Sequence, residues 1–175
     1  MGQLTKIIAI AAFVAASSIA QAAPQATIKS RFSGQVSPNN TGCEFPDDAV
    51  SVLVTDNGRT LVEERLCSTF GRGKAETFIT HSGKTFVLVE QDTGRGTNAT
   101  TTSLAIYSLD TDALDEKLEI PISWPTGPNG HFTYSYTTAE DQAGGLEVAL
   151  KGRGAGQGDE CCVPAEKSQT VHIDP

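Results

Sequence analysis

The sequence predicts an all-β protein, a small antiparallel β-sandwich or barrel of about nine short strands, with a propeller-like stack of sheets as the alternative. Three observations carry this expectation. Apolar residues alternate with period two in segment after segment, each segment closes on Gly, Asn, Asp or Pro, and no helix-length 3.6-residue periodicity follows residue 22.

Residues 26–33 place Ala26, Ile28 and Phe32 on one face, and a loop over 38–48 follows. Residues 49–55 hold Val50, Val52 and Val54 in register and meet Asp56-Asn57-Gly58, a two-residue hairpin signal because Asn-Gly tolerates the positive φ angles of such turns. Residues 60–66 return. A second hairpin runs from 76–81 through Ser82-Gly83 into 84–91, where Phe86, Val87, Leu88 and Val89 are apolar on both faces, the pattern of a central strand.

After a polar stretch over 92–100, Leu104 and Ile106 alternate with Ala105 and Tyr107. A turn over 110–116 leads to the stripe Leu118, Ile120 and Ile122, in which Pro121 removes a backbone donor and argues for an edge strand or a strand end. Beyond a loop over 124–130, Phe132, Tyr134 and Tyr136 share one face, as do Leu146, Val148 and Leu150, and Val171 and Ile173 close the chain. The Gly-Arg-Gly triplets centred on Arg72, Arg95 and Arg153 are unevenly spaced and read as three turns, not as a repeat.

Residues 1–22 have the order of a signal peptide: Lys6, an apolar run over 7–16, then Ala20-Gln21-Ala22 as the processing site. The apolar run is too short for a spanning helix, which needs about 20 residues. Residues 23–175 are then one β domain without a membrane span, periplasmic or secreted. Losing Lys6 takes the net charge from −8 to −9. That field disfavours nucleic acid and anionic membranes, and it leaves cationic ligands or a basic protein as electrostatically reasonable partners.

Cys43, Cys67, Cys161 and Cys162 remain after processing, and an even number in an exported chain reads as two disulfides. Cys43 and Cys67 sit at the open end of the first hairpin. Adjacent thiols diverge in an extended segment, so the favoured pairing is crossed, Cys161 bridging to one of them and Cys162 to the other, over Cys43–Cys67 with a vicinal Cys161–Cys162 bond. The spacing does not suit zinc. Residues 158–164 resemble the Cys-Cys-Pro ending of some small exported bacterial β proteins, a stretch too short to imply any residue role.

Chemistry-bearing groups are sparse. His81, His131 and His172 lie beside different strands or turns, and alternation puts the last two opposite the apolar faces. No nucleophile elbow, zinc-protease helix or phosphate-binding loop occurs. Glu63 and Glu64 point to opposite faces of a strand and cannot act as a pair, although Glu64 shares its face with Val62 and Leu66. Asp110, Asp112, Asp115 and Glu116 crowd one turn, but the glycine of an EF-hand loop is missing, so no metal or other cofactor is assigned. Sequons begin at Asn39 and Asn98.

The candidate ligand-binding residues are Trp124, Tyr134 and Tyr136, aromatic faces near a Pro/Gly-rich loop, and Arg95, a guanidinium on a turn where it could hold a carboxylate or phosphate. The expected function is an exported, non-catalytic binding or interaction protein of the bacterial cell envelope, of which an inhibitor of another exported protein is one form. Its partner is a protein or small-molecule ligand of the envelope. The alternative is a small hydrolytic enzyme using carboxylate chemistry. A polar cleft containing Glu64 or a carboxylate pair would favour the enzyme, and an exposed aromatic or loop-borne patch the interaction protein.

Overall fold

A computed structural model describes residues 23–30, 42–96, 99–127, 130–156 and 166–175. The predicted leader, both sequon asparagines, Cys161 and Cys162 lie outside the described residues. Ten strands and two 3-10 turns account for most of the rest: β1 (Gln25–Ser30), β2 (Ala49–Asp56), β3 (Arg59–Cys67), β4 (Gly73–Ile79), β5 (Thr85–Thr93), β6 (Thr101–Asp110), β7 (Ala113–Gly127), β8 (Gly130–Glu140), β9 (Leu146–Gly156) and β10 (Glu166–Ile173).

All pairing is antiparallel. A three-stranded sheet has the order β1-β2-β3, and a seven-stranded sheet has the order β10-β9-β8-β7-β6-β5-β4. The terminal strands β10 and β4 do not pair with each other, so the barrel expectation is corrected to an open, sandwich-like arrangement, and among the described residues no blade-like repetition of sheets supports a propeller. Hairpin chemistry explains much of the order. Asn57 and Gly58 both take positive φ, 50° and 79°, as the two-residue turn requires. The second hairpin turns over residues 80–84, so His81 stands in the turn and not on the strand.

Two apolar clusters hold the sheets. Val52, Val54 and Val62 of the small sheet, with Ala26, pack on Val87, Val89, Ala105 and Tyr107. The opposite face of the same two strands, Phe86, Leu88, Leu104 and Ile106, packs with Phe132, Tyr134, Leu146, Val148, Leu150 and Ile173. The seven-stranded sheet therefore folds over itself near β7, and β5 and β6 form a middle layer covered on both sides. This is why Phe86 to Val89 are apolar without alternation.

β7 is where the sheet turns. It pairs with β6 from Ala113 to Ser123 and with β8 only from Ser123 to Gly127. Pro121 sits where the far edge of β7 is unpaired, which its missing N–H tolerates. The third Gly-Arg-Gly triplet corrects another expectation: it lies inside β9, not in a turn. A Cβ at Gly152 would meet Phe132 Cε1 at 2.5 Å and Tyr134 Cε1 at 2.6 Å, so the glycine is required by two rings stacked over the strand.

Candidate functional site

The chain entering β2 and the chain leaving β3 run side by side, and each makes a 3-10 turn, Pro46–Asp48 and Thr69–Gly71. Cys43 and Cys67 are joined across them with Cα atoms 5.5 Å apart. The crossed pairing is thus corrected. The turn over Pro46–Asp48 brings Cys43 back to the end of β3, where Cys67 pairs with Ala49.

Asp48 is the centre of this loop pair. It is buried, its carbonyl accepts from the Ser68 N–H at 2.7 Å, and its Oδ1 accepts from the Phe70 N–H at 2.9 Å. Ser68 links inward: its hydroxyl accepts from the Asp92 N–H and donates to the Arg72 carbonyl. Arg95 Nη2 donates to Asp47 Oδ1 at 2.5 Å and Asp48 Oδ1 at 2.6 Å. The hydrogen bond from Arg95 holds the Asp47 carboxyl below its ordinary range.

The same guanidinium lies between two rings, with Cζ 3.9 Å from the Phe45 centroid and 4.6 Å from that of Phe70. Phe45 is 38% and Phe70 50% exposed. Phe70 also has φ 56° and ψ 26°, a left-handed conformation that is uncommon for a bulky residue and costs about 1–3 kcal/mol. The carboxylates that Arg95 holds, Asp47 and Asp48, are the chain's own and not a ligand's.

A second site opens at the other face of the middle layer. Along that face Phe78 gives way to Glu76 and Lys74, Leu88 to Glu90, and Leu104 to Thr102, so one end of the folded-over sheet is apolar and the other polar. Where β8 parts from β7, these groups line a cleft of about 500 Å³ with Tyr134 and Tyr136 on its far wall. Tyr136 Oη donates to Glu90 Oε1 at 2.8 Å and lies 3.2 Å from Glu76 Oε1. Burial first, and then the hydrogen bond and charge of Glu90, raise the Tyr136 phenol well above its ordinary value, so it remains a donor. Lys74 is raised chiefly by its hydrogen bond to Glu76.

The other expected residues are dispersed. Trp124 and Tyr134 belong to an aromatic row with Phe132, with ring centroids 4.9 Å apart for Trp124–Phe132 and 5.1 Å for Phe132–Tyr134. Phe132 is fully buried and Tyr134 nearly so, whereas Trp124 is half-buried. Glu64 is exposed. Asp110 and Asp112 stand at the β6–β7 turn while Asp115 and Glu116 lie on β7, and no group of three metal-binding side chains converges among the described residues.

Sequence reasoning missed Phe45, Phe70, Glu76 and Glu90. The available signals were slight: Phe45-Pro46 and Phe70-Gly71 place large apolar residues at turn punctuation, and Glu90 interrupts the apolar stripe of β5. No family model, curated protein or solved structure matches the chain.

Proposed function

We propose that this chain is a non-catalytic interaction protein of the bacterial cell envelope that docks on another exported protein through the Phe45–Arg95–Phe70 surface, as an inhibitor would. The carrying observation is the exposure of two phenylalanines on a loop pair fixed by a disulfide, a buried aspartate and a wedged guanidinium. Aromatic and arginine side chains dominate binding hot spots. A surface already ordered loses little further entropy on binding, which is the advantage of preorganisation. The left-handed Phe70 fits this role, because strained residues persist where surrounding contacts hold them for use. An oxidising compartment is compatible with the disulfide. No helix of the described residues is long and apolar enough to cross a membrane.

The hydrolytic alternative would rest on Glu76 and Glu90, two carboxylates near one hydroxyl in a cleft. Glycoside hydrolysis needs one carboxyl free to give a proton to the leaving group. Here Lys74 and Tyr136 already engage both acids, an arrangement suited to holding positive charge.

The test is affinity capture from an envelope extract with the oxidised protein and with a Phe45→Ala/Phe70→Ala double variant of unchanged circular dichroism. We expect a specific exported protein to be retained by the wild type and lost by the variant. Equal retention by both, or no protein retained by either, refutes the reading.

A further inference from the structure

Phe70 carries a second guanidinium. Arg95 Cζ lies 4.6 Å from its ring centroid, and Arg72 Cζ lies 5.6 Å from the same centroid. The two cations differ in what answers their charge. Asp47 and Asp48 hold Arg95, as Glu76 and Glu90 hold Lys74 and Asp115 holds Lys117. Arg72 is exposed, and among the described residues no carboxylate pairs with it.

The loop fixes where Arg72 stands. The Phe70 N–H is held by Asp48 Oδ1, the Arg72 N–H donates to the Thr69 carbonyl at 3.2 Å, and the Arg72 carbonyl accepts from the Ser68 hydroxyl. Both backbone groups of Arg72 are therefore engaged, and contact with the Phe70 ring restricts its side chain. A guanidinium so placed presents a planar fork of donors that fits a carboxylate with two parallel hydrogen bonds. Less side-chain freedom is then lost when such a pair forms across an interface.

Charge on this surface is also asymmetric. Glu44, which is exposed, precedes Phe45, whereas Arg72 follows Phe70 by two residues. Arg95 is committed to Asp47 and Asp48, so Arg72 is the cation left to receive an incoming acid. An acid arriving on the Phe45 side would meet Glu44 and Asp47, and that repulsion sets which way round a partner sits.

From this arrangement, and resting on the docking role proposed above, we infer that the surface selects a segment of an exported protein in which an aspartate or glutamate adjoins a large apolar side chain. The apolar group rests on Phe45 and Phe70, and the carboxylate on Arg72.

The experiment is selection of a random peptide library displayed on phage against the oxidised protein, followed by titration of the best synthetic peptide. We expect enrichment of peptides with Asp or Glu next to Phe, Leu, Ile or Trp. Arg72→Gln should weaken the best of them at least about tenfold, the scale of a lost charge-assisted hydrogen bond, and Arg72→Lys should restore part of the loss. The same peptide with its carboxylate changed to the amide should bind wild type and Arg72→Gln alike. Arg153→Gln, at an exposed arginine of β9, controls for net charge and should leave binding unchanged. Peptides that need both rings but are indifferent to Arg72, an equal loss in Arg153→Gln, or enrichment of no carboxylate-bearing peptide overturn the inference and leave the docking role standing. Peptides that bind the Phe45→Ala/Phe70→Ala variant undiminished refute that role, and the inference with it.

Discussion

The aromatic row of Trp124, Phe132 and Tyr134 and the pair Phe45 and Phe70 put similar side chains to opposite use. In the row the rings pack on one another, Phe132 and Tyr134 also lie against Gly152, and the strand that carries these two, β8, is paired with β9. In the pair no ring belongs to a strand, and a cation fills the space between them. Period-two spacing signifies a face, and faces of a sheet are the surfaces that folding covers. Aromatic residues at turn punctuation have no such face, so an exposed one is the more informative for binding.

The largest expected effect breaks the row. Phe132→Ala should lower unfolding free energy by about 3–5 kcal/mol in urea titration, as for a large ring removed from a core. Phe45→Ala should cost only about 0.5–1 kcal/mol, the value of a partly exposed ring's contact with the Arg95 guanidinium. Equal losses would show that Phe45 belongs to the core after all.

An intermediate effect concerns what keeps the pair in place. Removing the Cys43–Cys67 bond as Cys43→Ser/Cys67→Ser should cost about 3 kcal/mol, by the chain-entropy estimate for a closed loop with a sequence separation of 24. Denaturation midpoints of the double variant against the oxidised wild type check this. An unchanged midpoint would mean that Asp48 and Arg95 alone order the loops.

The smallest effect sharpens the role of the guanidinium. Arg95→Lys keeps the charge but loses the planar fork that stacks on the two rings, and should lower the denaturation midpoint by less than removal of the disulfide does. It should also alter the response to acid. The folded state holds the Asp47 carboxyl below its ordinary value, so the clamp contributes stability above about pH 4 and loses it as pH falls through the lowered pKa. Melting temperatures between pH 6 and 2.5 should fall more steeply for the wild type than for Arg95→Lys, and parallel curves would remove Arg95 as the cause.

Much of the fold was legible because local chemistry and burial agree. Asn57-Gly58 names its turn, Phe86 to Val89 name the covered layer, and Pro121 marks an unpaired edge. Tertiary placement was not legible. Nothing local says that β8 folds over β4 and β5, and only that brings Tyr136 to Glu90 across 46 residues of sequence. Arg95 was visible as a cation on a turn, but its aromatic neighbours were not, since Phe45 and Phe70 reach it only once the disulfide and Asp48 draw two turns together. The cysteine pairing failed for the same reason: adjacency of Cys161 and Cys162 is a sequence fact, whereas the return of Cys43 toward Cys67 depends on a 3-10 turn.

The doubly covered layer of β5 and β6 also governs how the molecule comes apart. Detaching the small sheet would bare Val87, Val89, Ala105 and Tyr107, and lifting β8 to β10 would bare Phe86, Leu88, Leu104 and Ile106, so either opening exposes the same two strands to water. Each opening therefore costs the burial of one whole apolar cluster, and the two outer layers are coupled through the strands they share. Injury to an outer strand is felt in the shared layer, while the loop pair at Phe45 and Phe70 and the mouth of the cleft lie where side chains can change without disturbing that coupling.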